Sequence, residues 1–435
     1  MSTHGADGIM GGLWSKNDWH NGRVVVEERL DRFCATTEWS LLFPDANVTH
    51  IDSDSSDHLP IYLRCFSTRG RGRRFPARFR FENMWLSDPS CRNVISEAWA
   101  WTRGNEAVEN LMGKIDGCSK ALHQWNKTSF GNVGLEILKL EAFLRSTRDV
   151  EARREAFRKL REWRQKEEIL WWQRARVDFL KFGDANTRWF HSRANGRRAH
   201  NRIAKLHDSN GDIQTDVDAV ANVAVEYFCQ LFTGATSLAL DEVLDCVQPC
   251  VTDGINAQLC LPYSRVEIEQ ALSQMNPYKA PGPDGFNALF YQKHWDIIGD
   301  DVCAAVLSVL EGHASPSMVN HTFLALIPKK PSPTLITEFR PISLCNVVYK
   351  LVTKVLSNRL KPWLPAIISP NQSAFTPGRL ITDNILIAYE VFHAMHRDYR
   401  VGGAMALKLD MAKAYDRVEW EFLRRVMLRM GFRRP

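Results

Sequence analysis

The distribution of apolar and polar positions divides the chain into regions of different period. From Val24 to Leu63 short apolar runs alternate with turn residues, which predicts short strands. From about Asn105 to Phe182 the pattern becomes helical and heavily charged, and Gly183-Asp184-Ala185-Asn186-Thr187 interrupts it. Asp208-Ser209-Asn210-Gly211-Asp212 reads as a turn and Val217 to Phe232 as a helix. Beyond Pro262 helices alternate with short strands. Phe323 to Ile327 is a strand that leads through Pro328-Lys329-Lys330 to a second arm at Glu338-Phe339-Arg340-Pro341-Ile342-Ser343, so a hairpin is predicted with Lys and Arg near its tip. Val348, Leu351, Val352, Val355 and Leu356 form a helical stripe. Near the C-terminal end Met405, Leu407 and Leu409 alternate as in a strand. Val418, Phe422, Leu423, Val426, Met427 and Met430 then recur at helical spacing.

Composition narrows the class only slightly. The apolar fraction of 45% suits ordinary cores, and 56 Lys and Arg against 50 Asp and Glu leave a formal charge of +6, a weak pointer to nucleic acid. The position of the charge says more. Arg64, Arg69, Arg71, Arg73, Arg74, Arg78 and Arg80 sit among glycines in what reads as a basic connector. The following helical region sets Trp163, Trp171 and Trp172 among Arg153, Arg154, Arg158, Arg161, Arg164, Arg174 and Arg176. Basic residues interleaved with aromatics suit a phosphate backbone. A solvated helix whose tryptophans pack on a neighbour explains the same pattern. The ten cysteines show no zinc spacing, so reduced thiols are expected. With no secretory leader and no long apolar run, the expected location is nucleus or cytoplasm, with no membrane partner.

The alternating run ends in Asp410, at a strand-to-helix junction. Phosphoryl transfer onto a hydroxyl uses magnesium ions held by carboxylates, and an aspartate at a strand end supplies one ligand; an Asp before a helix also serves as an N-cap. Ile298-Gly299-Asp300-Asp301 contains a Gly-Asp-Asp, but it precedes the apolar run Val302 to Leu307, so Asp300 or Asp301 is expected to cap that helix.

The ordered set KAPGPDG (Lys279–Gly285), LIPKK (Leu326–Lys330), FRPISL (Phe339–Leu344), QSAFTPGRLITDN (Gln372–Asn384) and LDMAKAYD (Leu409–Asp416) resembles the reverse transcriptase of plant LINE-type, non-LTR retrotransposons. The resemblance implies that Asp410 is the first catalytic aspartate and a magnesium ligand. It makes Tyr415 the aromatic gate that crowds a ribose 2′-hydroxyl. Lys329 and Arg340 become the cations that grip a triphosphate, and Gln372 to Arg379 a segment near template and nucleotide. Asp416 is expected to be structural. RNA template and DNA primer or target are the implied partners, magnesium the implied cofactor, with no small-molecule cofactor.

The family's Tyr-x-Asp-Asp hairpin does not follow Asp410 in these residues, so the chain is expected to be catalytically incomplete, a truncated member; the alternative is a non-catalytic RNA- or DNA-binding remnant. Toward the N-terminus, Glu28-Arg29-Leu30-Asp31-Arg32 and Ser55-Ser56-Asp57-His58-Leu59-Pro60-Ile61 resemble the C-terminal end of an endonuclease/exonuclease/phosphatase-fold nuclease. That likeness implies His58 as base or phosphate contact, Asp31 as its orienting carboxylate and Asp57 on the metal side; a surface Asp-His pair is the plain alternative.

The expected class is therefore α+β. Residues 1–63 are an endonuclease remnant of an α/β sandwich, 64–210 a basic helical linker, 211–261 a helical lead-in, and 262–435 the fingers and start of the palm of a right-hand polymerase.

Overall fold

The computed structural model describes residues 78–101, 104–175, 200–234, 240–397 and 405–433. It adds positions 190, 194 and 196–197, and separate segments between 8 and 65 (8–10, 16–20, 23–28, 33–36, 39, 43, 46–50 and 61–65). Asp31, Asp57 and His58 lie outside the described residues. The described N-terminal strands are antiparallel pairs: Gly8–Met10 with Phe33–Ala35, Lys16–His20 with Arg23–Glu28, and Asn47–His50 with Ile61–Arg64. Helices and small two-stranded sheets make the chain α+β.

The chain divides into two compact units, residues 1–216 with 272–350, and residues 217–271 with 351–435. In the first, the predicted linker shares a core with the region around KAPGPDG. Arg78-Phe79-Arg80-Phe81 runs without regular structure, and its two phenylalanines join an aromatic cluster. Phe79 lies 5.0 Å from Phe286 and Phe81 5.2 Å from Phe290, centroid to centroid. Gly285 has a positive φ of 80°, and a Cβ there would sit 2.4 Å from the Phe79 carbonyl oxygen; only glycine lets the two backbones meet, and the Phe81 N–H donates to the Gly285 carbonyl at 3.0 Å. Asn287 caps the helix Ala288–Lys293 by accepting from the Phe290 N–H, and its amide donates to Asn83 at 2.9 Å.

The helix Trp295–Leu310 packs on Ala107–Trp125 through a buried seam that includes Leu111, Ile115, Ile298, Val302 and Val306. It starts seven residues before the apolar run, with His294 at its N-cap position and no side-chain cap. Asp301 is therefore inside the helix and caps nothing, which corrects the expectation. Its carboxylate instead accepts from Trp99 Nε1 and Lys114 Nζ, both at 2.8 Å, and from Asn110 Nδ2 at 3.1 Å. Lys114 is buried, so this ion pair is screened little by solvent.

In the long helix Val150–Ala175 two tryptophans pack on neighbours, as the solvated-helix reading expects. Trp163 packs edge-on against Phe130 at 5.5 Å and Trp172 against Tyr278 at 4.5 Å. Arg154, Arg158 and Lys159 pair with Glu151, Glu155 and Glu162 along the same helix, and Arg164 with Glu141. Most of its cations are thus neutralised on a solvated face, as i, i+3 and i, i+4 spacing favours.

The hairpin is formed as predicted. Thr322–Pro328 pairs antiparallel with Phe339–Cys345, with Arg340 opposite Ile327. Glu338 fixes its connection by accepting from the Thr334 and Leu335 N–H groups at 2.8 and 3.2 Å and pairing with Lys330 at 2.6 Å.

The second unit has a smaller core of Val251, Ile255 and Ile367, covered by Leu259, Trp363, Met430 and Phe432. Arg359 closes it. Its guanidinium contacts both Glu267 oxygens at 2.6 and 2.9 Å, donates to the Leu259, Leu261 and Pro262 carbonyls, and lies 3.7 Å over the Tyr263 ring. Asn256 holds the end of the helix Trp420–Met430, donating to the Gly431 carbonyl at 2.8 Å and accepting from the Arg433 N–H at 3.1 Å. Among the described residues no helix is long and apolar enough to cross a membrane.

Candidate nucleotide-polymerising site

The candidate residues fall in two units, Lys329 and Arg340 in the first and Gln372, Arg379, Asp410 and Tyr415 in the second. In the second, residues 405–411 run without regular structure, although their alternation predicts a strand. The difference has a simple cause: no described strand pairs with them, and alternation gives no stability without a ladder. Leu409 is 80% exposed and Asp410 is exposed, with no hydrogen bond or ion pair among the described residues.

Lys413 turns the chain with a left-handed φ of 56°, and the short 3-10 turn Ala414–Arg417 carries Tyr415. That turn lies against the helix Val217–Phe232. The Tyr415 ring, 82% exposed, meets Phe375 edge-on at a centroid distance of 6.1 Å. Phe375 is itself left-handed, φ 63°.

Arg379 makes the loop around Phe375. It donates to the carbonyls of Ser369 and Gln372, each at 2.5 Å, and of Ile368 at 3.3 Å. Gln372 donates through Nε2 to the Ala374 carbonyl at 3.1 Å. Both side chains therefore shape the loop that presents Phe375. The structure thus brings Tyr415 together with the 372–379 segment.

In the first unit, Lys329 Nζ donates to the Thr337 carbonyl at 2.9 Å, at the base of the hairpin connection. Arg340 is exposed on its strand and has no partner among the described residues. Ser332, in the same connection, has a φ of 49°. Only three non-glycine residues among those described have positive φ: Ser332, Phe375 and Lys413. Phe375 and Lys413 fall within motif segments singled out by sequence, and Ser332 in the connection between two of them. Backbone strain of this kind costs of order 1–3 kcal/mol per residue and tends to mark functional loops. Phe375 and Lys413 are the residues that motif reading passed over. Their signal was conformational, and a side-chain pattern does not carry it.

Metal fit is limited. Among the described residues no group of three or more His, Cys, Asp and Glu is placed to hold an ion. Asp410 is a free carboxylate, able to give a magnesium ion one protein ligand; the described residues do not complete a cage.

Residues 327–435 match the family model described as reverse transcriptase (RNA-dependent DNA polymerase). The segment has a reverse-transcriptase origin. The chain is also 28% identical over 365 residues to the transposon TX1 uncharacterized 149 kDa protein of Xenopus laevis, an alignment that covers 80% of this chain and 28% of that protein. Similarity to a transposon protein therefore reaches well beyond the reverse-transcriptase segment. The chain spans little more than a quarter of the relative it matches.

Proposed function

We propose that the chain is part of a LINE-type retrotransposon reverse transcriptase, with Asp410 as its first metal-binding carboxylate and Tyr415 as the residue that screens the sugar of an incoming nucleotide. The observation that carries this reading is the meeting of Tyr415 and Phe375 above a loop braced by Arg379, inside the reverse-transcriptase match. A ring exposed at that position offers a rigid edge against which a 2′-hydroxyl would clash. Lys329 and Arg340 are assigned to the triphosphate, and Gln372 and Arg379 to the shape of the nucleotide-facing loop. Magnesium, held in part by Asp410, would supply charge neutralisation for a developing alkoxide and a leaving pyrophosphate. RNA template and DNA primer follow as partners.

The 435-residue polypeptide alone is expected to give no product in a primer-extension assay with an RNA template, deoxynucleotides and magnesium, because the described residues do not build a complete metal site. Templated synthesis that disappears in Asp410→Ala would overturn that expectation. Binding of a fluorescent deoxynucleoside triphosphate tests the assignments themselves. Lys329→Ala and Arg340→Ala should each weaken it several-fold, and Tyr415→Ala should remove the preference for deoxyribose over ribose. Nucleotide binding indifferent to all three variants would remove the reading. A second reading, nucleic-acid binding without catalysis, is favoured by the excess of basic residues and predicts affinity that falls steeply with salt.

A further inference from the structure

Outside the reverse-transcriptase match, the first unit contains a groove of about 670 Å³ between the Arg78–Arg80 segment, the end of the helix Ala107–Trp125 and the helix Val150–Ala175. Its walls are held rigidly. Gln173 donates to the Phe81 carbonyl at 3.0 Å and accepts from the Asn83 N–H at 2.9 Å, and Trp85 Nε1 donates to Asn126 at 3.1 Å. Phe79 and Phe81 pack on Phe286 and Phe290, and Arg78, Phe79 and Arg80 line the groove.

Arg80, and His123 and Lys127 one helical turn apart, line the groove. All three are exposed and none has a hydrogen bond or ion pair among the described residues. This is unlike the cations of the Val150–Ala175 helix, most of which are neutralised. Arg78 is differently engaged, its guanidinium 3.9 Å over the Phe323 ring.

The lining between Arg80 and Lys127 is aromatic and acidic. Trp171 contributes an indole, with the Arg174 guanidinium 5.2 Å from its ring centre. Glu82 pairs with Arg174 at 3.3 Å, and its second oxygen has no partner. Glu167 also lines the groove, and burial raises its carboxyl above the usual range.

We infer that this groove binds a short stretch of single-stranded nucleic acid, with phosphates on Arg80 and Lys127 and one unpaired base against Trp171. A continuous duplex fits poorly, because a double row of phosphates would meet Glu82 and Glu167. An unpaired base turned inward presents N–H donors to those carboxylates instead. Aromatic stacking beside unpaired cations is the general means of holding single strands. Prearranged walls lower the ordering cost of binding. The inference rests on the nucleic-acid reading above but uses none of the nucleotide-site residues.

The test is fluorescence anisotropy of the full 435-residue chain with labelled 12-nucleotide RNA, single-stranded and annealed to its complement, over a salt series. Single strands should bind more tightly than the duplex. Arg80→Glu and Lys127→Glu should each weaken single-strand binding roughly tenfold and lower the salt slope by about one. Trp171→Leu should also cost roughly tenfold, the loss of one base stack. Arg161→Glu, an exposed and unpartnered cation of the Val150–Ala175 helix that does not line this groove, is the control and should change affinity less than twofold. Arg80→Lys and Lys127→Arg should retain binding, and thermal melts check that the variants fold. Equal affinity for the duplex, no binding, or Arg80→Glu and Lys127→Glu no weaker than Arg161→Glu would each overturn the proposal. The nucleotide-site reading is tested by triphosphate binding, with other residues varied. Failure here therefore stays distinct from failure of the nucleotide-site reading.

Discussion

At the residue scale, the joint between linker and KAPGPDG segment contains two titratable groups held in opposite ways. Asp284 has a carboxylate oxygen with neither solvent nor partner, and burial pushes it up to about 7, only partly offset by the Phe286 N–H and the charge of Lys350. His294 lies between the Phe81 and Phe290 rings with both ring nitrogens unpartnered; burial, and Arg92 nearby, push it down to about 4. Between pH 7 and about 4 the folded state holds a proton on Asp284 that the unfolded chain has lost, so acidification stabilises through this group. Between pH 6.5 and about 4 the unfolded chain holds a proton on His294 that the folded state refuses, so acidification destabilises. Each contributes at most about 1.4 kcal/mol per pH unit, with opposite sign, and they largely cancel in the native chain. Relative to the native chain, Asp284→Asn should lose roughly 2 kcal/mol on going from pH 6.5 to 4.5 and His294→Phe should gain a similar amount. Urea unfolding at the two pH values checks this. The same pH dependence in native and variant chains would mean that neither group is held as described.

At the scale of elements, what the sequence made legible follows the range of the interaction. The hairpin at 322–345 was readable because its two alternating arms and the connection between them are close in sequence, and the pairing confirms it. The stripe Val348, Leu351, Val352, Val355 and Leu356 was readable for the same reason; the first four are buried in the helix Val347–Leu360, and Leu356, read as part of the packed face, is exposed. Asp301 was misread because its three partners, Trp99, Asn110 and Lys114, are about two hundred positions away and no local rule points to them. The roles of Arg359 and Arg379 as carbonyl-gathering clasps were equally hidden.

Residues 405–411 show the reverse error: the alternation was real, but a strand is a pair, and no described strand supplies the second member. Their amides should therefore exchange hydrogen far faster than those of Thr322–Pro328, as mass spectrometry can resolve. Leu407→Lys with Leu409→Lys should change unfolding free energy by less than about 0.5 kcal/mol, since both side chains are already exposed. A loss above about 2 kcal/mol would mean that the segment is packed.

At the scale of the whole molecule, two units with separate cores carry separate clasps. Asp301→Ala leaves Lys114 buried without its counter-charge, and Arg359→Ala releases three carbonyls and both oxygens of Glu267; each change should cost about 3 kcal/mol. Glu267 adds a pH signature. Arg359 holds its carboxyl below the usual range, so its contribution is present above the ordinary carboxylate pKa and fades as pH falls through the lowered value. The two clasps lie in different cores and share no partner, so their effects should add. Calorimetry is then expected to show two transitions, Asp301→Ala lowering only one and Arg359→Ala only the other, with the double variant lowering both. The helices Arg265–Ser273 and Val347–Leu360 both cross the boundary between the units and offer a route for coupling. A single transition shifted by either substitution would show that these two helices unite the cores into one cooperative body.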